Sequence, residues 1–367
     1  MLVPAAWGGP GMVVGAAEDA PKQADLPSAV AKMELARLAG FEAIRFTSWW
    51  TRGKVRPSAY ELLILQNAAD AAALTGMRVY LAVYNAGSRH TPRTARARAQ
   101  FAAYAASLAR ALPSAEHVVV GNEPNLNRYW LPQFRGTRSA SPASYLALLA
   151  RTYDALKGVD PAIEVIGGAV SPRGGDNPQS RRHTHSPTRF LLELGQAYRR
   201  SGRSRPIMDA FALHPYLPSS KQPPTVRHPR STTITIADYP KLTSLLGRAF
   251  RGTAQPWRLP IVYGEFGVQS AIPPAKRDVY TNHNLPVSKD AVSEAVQAQY
   301  YRQALALAYC QPRVSAFLIF HVMDERDLGR WQSGVYYADE TPKTSLPAVR
   351  KAVTDVADGQ IARCGAR

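Results

Sequence analysis

The sequence predicts an α/β fold of the (β/α)8 TIM-barrel class, and three observations carry that prediction. Short, almost wholly apolar runs rich in β-branched residues alternate with Ala/Leu/Arg-rich stretches of helical spacing. Eight such runs occur, which is the number that closes a parallel barrel with helices outside it. Their lack of a polar face fits strands buried on both sides. The competing fold, an open doubly wound sheet, would want a G-x-G-x-x-G turn after an early strand, and "VVGAAEDA" is not one.

In chain order the predicted strands are "GMVVGA", "EAIRFT", "MRVYLAVY", "EHVVVG", "IEVIGG", "MDAFALH", "PIVYGE" and "VSAFLIF". Helical stretches between them include "SAVAKMELARLAG", "SAYELLILQNAADAAALTG" and "AVSEAVQAQYYRQALALAYC". Gly40 and Gly76 stand just past the last turn of the first two, where a helix commonly ends on a left-handed residue. The longest stretches without an element are 171–186, 217–237 and 268–288, after strands five, six and seven. In a barrel these long loops lie on the catalytic face, and their Pro, Ser and Arg content reads as loop rather than interdomain linker. The reading is therefore one catalytic barrel domain over 1–367 with a short C-terminal tail.

Composition narrows the function classes. With 46% hydrophobic residues the 367-residue chain can bury a large core. No segment approaches the roughly 20 apolar residues of a membrane span. No basic leader with a cleavable apolar stretch is visible either. The formal net charge is +18, but the arginines are spread through helices ("RTARARAQ") and one loop ("SRRHTHSPTR") with no nucleic-acid-binding signature, so no nucleic-acid partner is expected. Cys310 and Cys364 either form a single disulfide pinning the C-terminus of an exported, secreted or cell-surface protein, or remain two free thiols. No Cys/His spacing fits a metal, and no cofactor is called for.

Function should sit where the strands end. Strand four runs into Gly121-Asn122-Glu123-Pro124 and strand seven into Gly264-Glu265-Phe266-Gly267. A carboxyl group there is costly in a dry barrel and useful where the barrel meets a ligand. Two of them, separated by 142 residues in sequence (265 − 123) and brought to one mouth by the fold, match the need of glycosidic bond cleavage. That reaction uses one protonated carboxyl to assist the leaving oxygen and one carboxylate to attack or to activate water.

At these residues the chain resembles the retaining (β/α)8 glycoside hydrolases of the cellulase-like clan. The resemblance rests on "GNEPNLNRYW", "YLALLARTYDALKGVDPAIEVIGGAVSP", "LHPY" and "YGEFG". It is greatest to glycoside hydrolase family 39, with family 5 second. It implies Glu123 as general acid/base, Glu265 as nucleophile, and Asn122 as the residue bonding the sugar's 2-hydroxyl. It also implies that Tyr216 holds the nucleophile, that His214 lines the sugar subsite, and that Arg45 lies under Glu265 and keeps it ionised. A buried structural ion pair at Arg45 and a satisfied core histidine at His214 are the plainer alternatives.

The chain departs from the family at several points. Arg45 is followed by Phe46-Thr47-Ser48-Trp49-Trp50 without the His usual in family 39 xylosidases. Strand three ends on Asn85, where many family 5 members carry His. Strand eight ends Phe320-His321 rather than on the clan's common Trp. These positions bear on sugar recognition, so the substrate does not carry over.

Trp49, Trp50, Trp130, Trp331, Tyr129 and Tyr84 lie near strand ends, where aromatic faces stack on sugars. Trp331 in the polar loop after strand eight is the better stacking candidate, while Trp49 and Trp50 cannot both face the mouth. Glu18 and Asp19 after strand one are either hydroxyl ligands or ordinary loop acids. The expected partner is a carbohydrate, with a lean towards anionic or wall-associated polysaccharide. An inactive carbohydrate-binding barrel and a basic protein binding an anionic polymer are the other readings.

Overall fold

The alternation closes as a barrel. The computed structural model describes residues 7–282, 285, 286, 288–361 and 364. Its strands are β1 (Val13–Ala17), β2 (Ala43–Trp50), β3 (Arg78–Asn85), β4 (His117–Val120), β5 (Glu164–Val170), β6 (Ala210–Leu213), β7 (Ile261–Phe266) and β8 (Val314–Ile319). They form one closed sheet in sequential order, and β1 pairs in parallel with both β2 and β8. Outside it run α1 (Leu26–Leu38), α2 (Ala59–Leu74), α3 (Ala95–Ala111), α4 (Ser141–Lys157), α5 (Pro187–Arg200), α6 (Tyr239–Phe250), α7 (Glu294–Tyr309) and α8 (Leu346–Ala357).

Local chemistry sets the helix ends. The side chains of Asp25, Ser58, Thr94, Ser186 and Ser293 each accept from the backbone N–H three residues on. Each such cap satisfies one of the N–H groups that the first turn of a helix leaves unpaired. Gly40 and Gly76 take φ of 90° and 71° just beyond α1 and α2, in the region a side chain disfavours.

The pleat of each strand divides its residues between two cores. On β2, Ile44, Phe46 and Trp50 face the helices, with Trp50 edge-on to Phe101 of α3 at 5.4 Å. Ala43 belongs instead to an inner cluster with Val13, Tyr80, Ala82, Tyr84, Val119, Ala210, Ala212 and Ala316. Alanine dominates that inner set, so the barrel axis has room for an arginine and large phenols near its mouth.

Two features lie outside the predicted elements. A short hairpin pairs 134–135 with 138–139 after β4. A fourth long segment, 320–345, follows β8 and matches the three expected after β5, β6 and β7. The two cysteines are joined, with Cα atoms 5.3 Å apart, tying the tail beyond α8 to the end of α7. Among the described residues no helix is long and apolar enough to cross a membrane.

Candidate active site

Glu123 sits on a turn that needs unusual backbone. β4 stops at Val120, Gly121 takes φ +77°, and Glu123 itself takes φ +38°. A non-glycine residue there costs about 1–3 kcal/mol, so the surroundings must over-determine it. They do. The Glu123 N–H donates to Ala169 O at the end of β5 (2.9 Å). Asn125 clips the same turn to the next loop: its Nδ2 donates to Ser171 O (3.2 Å) and His185 O (3.0 Å), and its Oδ1 accepts from Ser171 N (2.9 Å). Gln133 Nε2 donates to Pro124 O (3.0 Å) and Trp130 O (2.8 Å).

Glu265 sits in a different setting. It is 9% exposed at the end of β7. Arg45 Nη2 donates to its Oε1 at 2.7 Å and Tyr216 OH to its Oε2 at 3.1 Å. Arg45 Nη1 also donates to Tyr84 OH (2.8 Å) and Gly264 O (3.3 Å). Burial pushes the Glu265 carboxyl up, but His214, Arg45 and Tyr216 outweigh it and hold the group below its ordinary value. Burial opposes the Arg45 charge, and Tyr84 with Glu265 more than offset that, so Arg45 stays a cation. The Tyr216 phenol is driven well above its usual range by burial and by both glutamates, so it remains a donor.

His214 stands between the two carboxyls. It is fully buried, with Nδ1 3.4 Å from Glu123 Oε1 and 3.5 Å from Glu265 Oε2. Neither approach is in line for a hydrogen bond, since both ring nitrogens lack a partner. Two oxygens within 3.5 Å of one nitrogen are at most about 7 Å apart, so the two carboxyls share one space at the mouth. Gly264 makes room for this ring: a Cβ there would meet His214 Nε2 at 3.1 Å.

The remaining expected residues divide between mouth and framework. Asn122 is 6% exposed, its buried Oδ1 accepts no hydrogen bond, and its side chain bonds the Tyr129 phenol. Asn85 is buried; its Nδ2 donates to the Gly87 and Tyr129 carbonyls (2.9 and 2.8 Å), while its Oδ1 accepts no hydrogen bond. Glu18 accepts from Ala20 N and Met323 N, and Asp19 accepts from Thr47 N, so these acids tie loops together. Trp50 and Trp130 are core residues, whereas Trp49 is 41% exposed and edge-on to Tyr84. Trp331 leans on Tyr216 (ring centroids 4.9 Å) and meets Phe320 edge-on (5.9 Å), forming an aromatic wall beside Glu265.

Trp331 is carried by an excursion closed at its base. Asp324 Oδ1 accepts from Gly334 N (2.9 Å) and from Lys343 Nζ (2.7 Å), and its Oδ2 accepts from Tyr280 OH (2.6 Å). Lys343 also donates to Ser270 Oγ (2.8 Å), and both charged side chains are fully buried. Burial pushes Asp324 up and Lys343 down, as it does for any charge taken out of water.

Sequence reasoning missed three parts of this site. Tyr84 was noted only as an aromatic, although alternation along "RVYLAVYN" puts Tyr80, Ala82 and Tyr84 on one face. Asn125 lies inside the quoted motif, yet nothing local says that its partners sit 46 and 60 residues away. Asp324 and Lys343 gave no signal, because a buried pair is indistinguishable in sequence from two surface charges.

No family model matches the sequence, and no curated protein matches it. Solved structures do. The chain is similar to a GH39 enzyme from Xanthomonas axonopodis pv. citri, at 15% identity and TM-score 0.59, over 92% of this chain and 65% of that one. It is similar to a GH39 β-xylosidase from Caulobacter crescentus, at 17% identity and TM-score 0.59, over 95% of this chain and 72% of that one. It is similar too to a GH5_18 enzyme from Streptomyces cattleya, at 18% identity and TM-score 0.61, over 94% and 80%. The chain thus spans just under two thirds of the first and more of the others. The likeness is one of fold: this chain shares its eight-stranded barrel with glycoside hydrolases of families 39 and 5.

Proposed function

We propose that the protein is a retaining glycoside hydrolase in which Glu265 is the nucleophile and Glu123 the acid/base. The observation that carries the reading is an asymmetry: two carboxyl groups flank one buried histidine, and only Glu265 is held by a cation and a phenol. In the first step Glu265 attacks the anomeric carbon while Glu123 gives its proton to the departing glycosidic oxygen. In the second, Glu123 takes a proton from water, whose oxygen displaces Glu265 from the same carbon. Two inversions restore the starting configuration.

Asn122, next to Glu123 and with an Oδ1 that accepts no hydrogen bond, would bond the 2-hydroxyl, and Trp331 offers a face for a sugar ring. Asn85 supports the mouth by holding Tyr129. The joined cysteines support work outside a reducing compartment, secreted or at the cell surface. The basic charge favours a poly- or oligosaccharide that is anionic or wall-associated.

The test is a screen of aryl glycosides followed by proton NMR of the first-formed product. Hydrolysis with retention is expected. A first product of opposite configuration would overturn the double displacement, and absence of turnover on every sugar would favour an inactive binding barrel.

A further inference from the structure

The helical wall of the barrel is electrically lopsided. Helices α3 to α6 carry ten basic and two acidic residues, whereas α1, α2, α7 and α8 carry five of each. Both halves hold ion pairs, with Lys157–Asp209, Arg189–Glu193 and Lys241–Asp238 on the basic one, but the basic half leaves more cations without one. On the balanced half, Arg37 pairs with Glu34, Lys351 with Asp355, and Lys32 with Glu340. On the basic half, no carboxylate among the described residues forms an ion pair with Arg98, Arg110, Arg151, Arg248 or Arg251.

Three neighbouring grooves run along that basic half. The α3/α4 groove, about 910 Å³, has a floor of alanines and a rim of Arg98, Arg110 and Arg151. The α4/α5 groove, about 620 Å³, shares Ala147, Ala150 and Arg203 with the first and adds Arg200 and Arg205. A third, about 610 Å³, lies against α6 and carries Arg248 and Arg251. The one carboxylate lining any of them is Asp154, and Arg203 and Arg205 already take both of its oxygens. Burial and the neighbouring Arg151 both work against the Arg98 charge, as expected where cations crowd without an anion.

From this arrangement we infer that the α3–α6 wall is a second binding surface, separate from the barrel mouth, that takes an anionic polysaccharide. The open grooves, two of them floored by alanines, admit a flexible chain, and the arginines meet its carboxylates with forked donors. A single-stranded nucleic acid fits less well, because it needs aromatic platforms for its bases. The one aromatic residue lining these grooves is Trp257, and its ring is taken by the guanidinium groups of Arg251 (4.6 Å) and Arg258 (4.9 Å). The joined cysteines also argue for a compartment where polysaccharide rather than nucleic acid is the common polyanion. The surface rests on charge distribution and not on the catalytic reading, so either can fail alone.

The test compares two variants of equal charge loss. One replaces Arg98, Arg110, Arg151, Arg248 and Arg251 with Gln; the control replaces Lys32, Arg37, Arg302, Arg350 and Lys351 with Gln. Binding to polygalacturonate is measured across sodium chloride concentrations, with dextran and single-stranded DNA as comparison polymers. The first variant should lose on the order of tenfold or more in affinity, and the salt slope should fall by about 3, because fewer counterions are displaced. The control should stay within about twofold on the same counterion argument. Equal losses in both variants would mean net charge alone, and tighter binding to DNA than to polygalacturonate would mean a different partner; either result overturns the proposal. Should the first variant fold poorly, amide exchange on the unaltered protein decides. Polygalacturonate should protect α3–α6, and protection confined to the mouth or to the opposite helices would sink the idea.

Discussion

The ends of β4 and β7 present the same side chain to the same mouth in opposite settings. Glu265 lies within β7, where the pairing with β8 shifts register between Tyr263 and Phe266, and is gripped by side chains, Arg45 and Tyr216. Glu123 sits on left-handed backbone and is positioned through its main chain, by Ala169 O and the Asn125 clip. The difference teaches how one barrel makes two kinds of carboxyl. Gripping the carboxylate itself with a cation and donors favours its charged form, whereas gripping only the backbone fixes the residue's place and brings no cation or donor to its carboxyl.

The largest effect should come from erasing the β7 side of this contrast. Glu265→Ala should abolish turnover of every substrate, a loss on the order of 10⁴-fold or more in kcat. Glu123→Ala should be selective. Substrates with poor leaving groups should lose about 10²–10⁴-fold, while a dinitrophenyl glycoside, which needs no proton, should still undergo the first step. Added azide should then restore turnover and give a glycosyl azide of retained configuration. An inverted azide product from Glu123→Ala, or rescue only of Glu265→Ala with retention, would reverse the roles.

A third way to sharpen the comparison is pH. Because Glu265 is held below its ordinary value, activity should persist below about pH 4.3 and fall only as that depressed group takes up a proton. Arg45→Met removes its cation, so the acid limb of kcat/KM should move to higher pH. An unmoved limb would show that Arg45 does not set the ionisation. The smallest effect belongs to the aromatic wall. Asp324→Asn should loosen the base of the Trp331 excursion, raising KM for oligosaccharides severalfold while kcat on a small aryl glycoside stays within about twofold. A fall in kcat on both substrates would place Asp324 closer to the chemistry than the structure does.

Much of this was legible in the sequence because it depends on short-range pattern. Eight apolar runs, the glycines after α1 and α2, and the two glutamates at strand ends are all visible within a few residues. The Asn-Glu-Pro turn announced itself because a proline and an acid contradict the valines before them. What was not legible depends on closure of the barrel. The Asn125 clip, the Tyr84 bond to Arg45, and the buried Asp324–Lys343 pair join residues that only the fold brings together. The loop after β8 escaped for a related reason: "MDERDLGR" reads as solvated polar chain, yet Asp324 in it is buried by partners from the loop after β7. The charge asymmetry of the helical wall was hidden too, since the arginines look scattered along the chain and gather only when α3 to α6 stand side by side.

The central claim is that Glu265, and not Glu123, bonds to the sugar. It is tested most directly by mass spectrometry after incubation with the dinitrophenyl 2-deoxy-2-fluoro glycoside of whichever sugar the screen finds active. Fluorine at C2 slows both steps, and the good leaving group restores only the first, so the intermediate accumulates. The account predicts one sugar per protein chain, attached to the peptide bearing Glu265 and absent from Arg45→Met at a pH below its raised acid limb. A sugar attached to the Glu123 peptide, or free inverted product with no adduct, would contradict it.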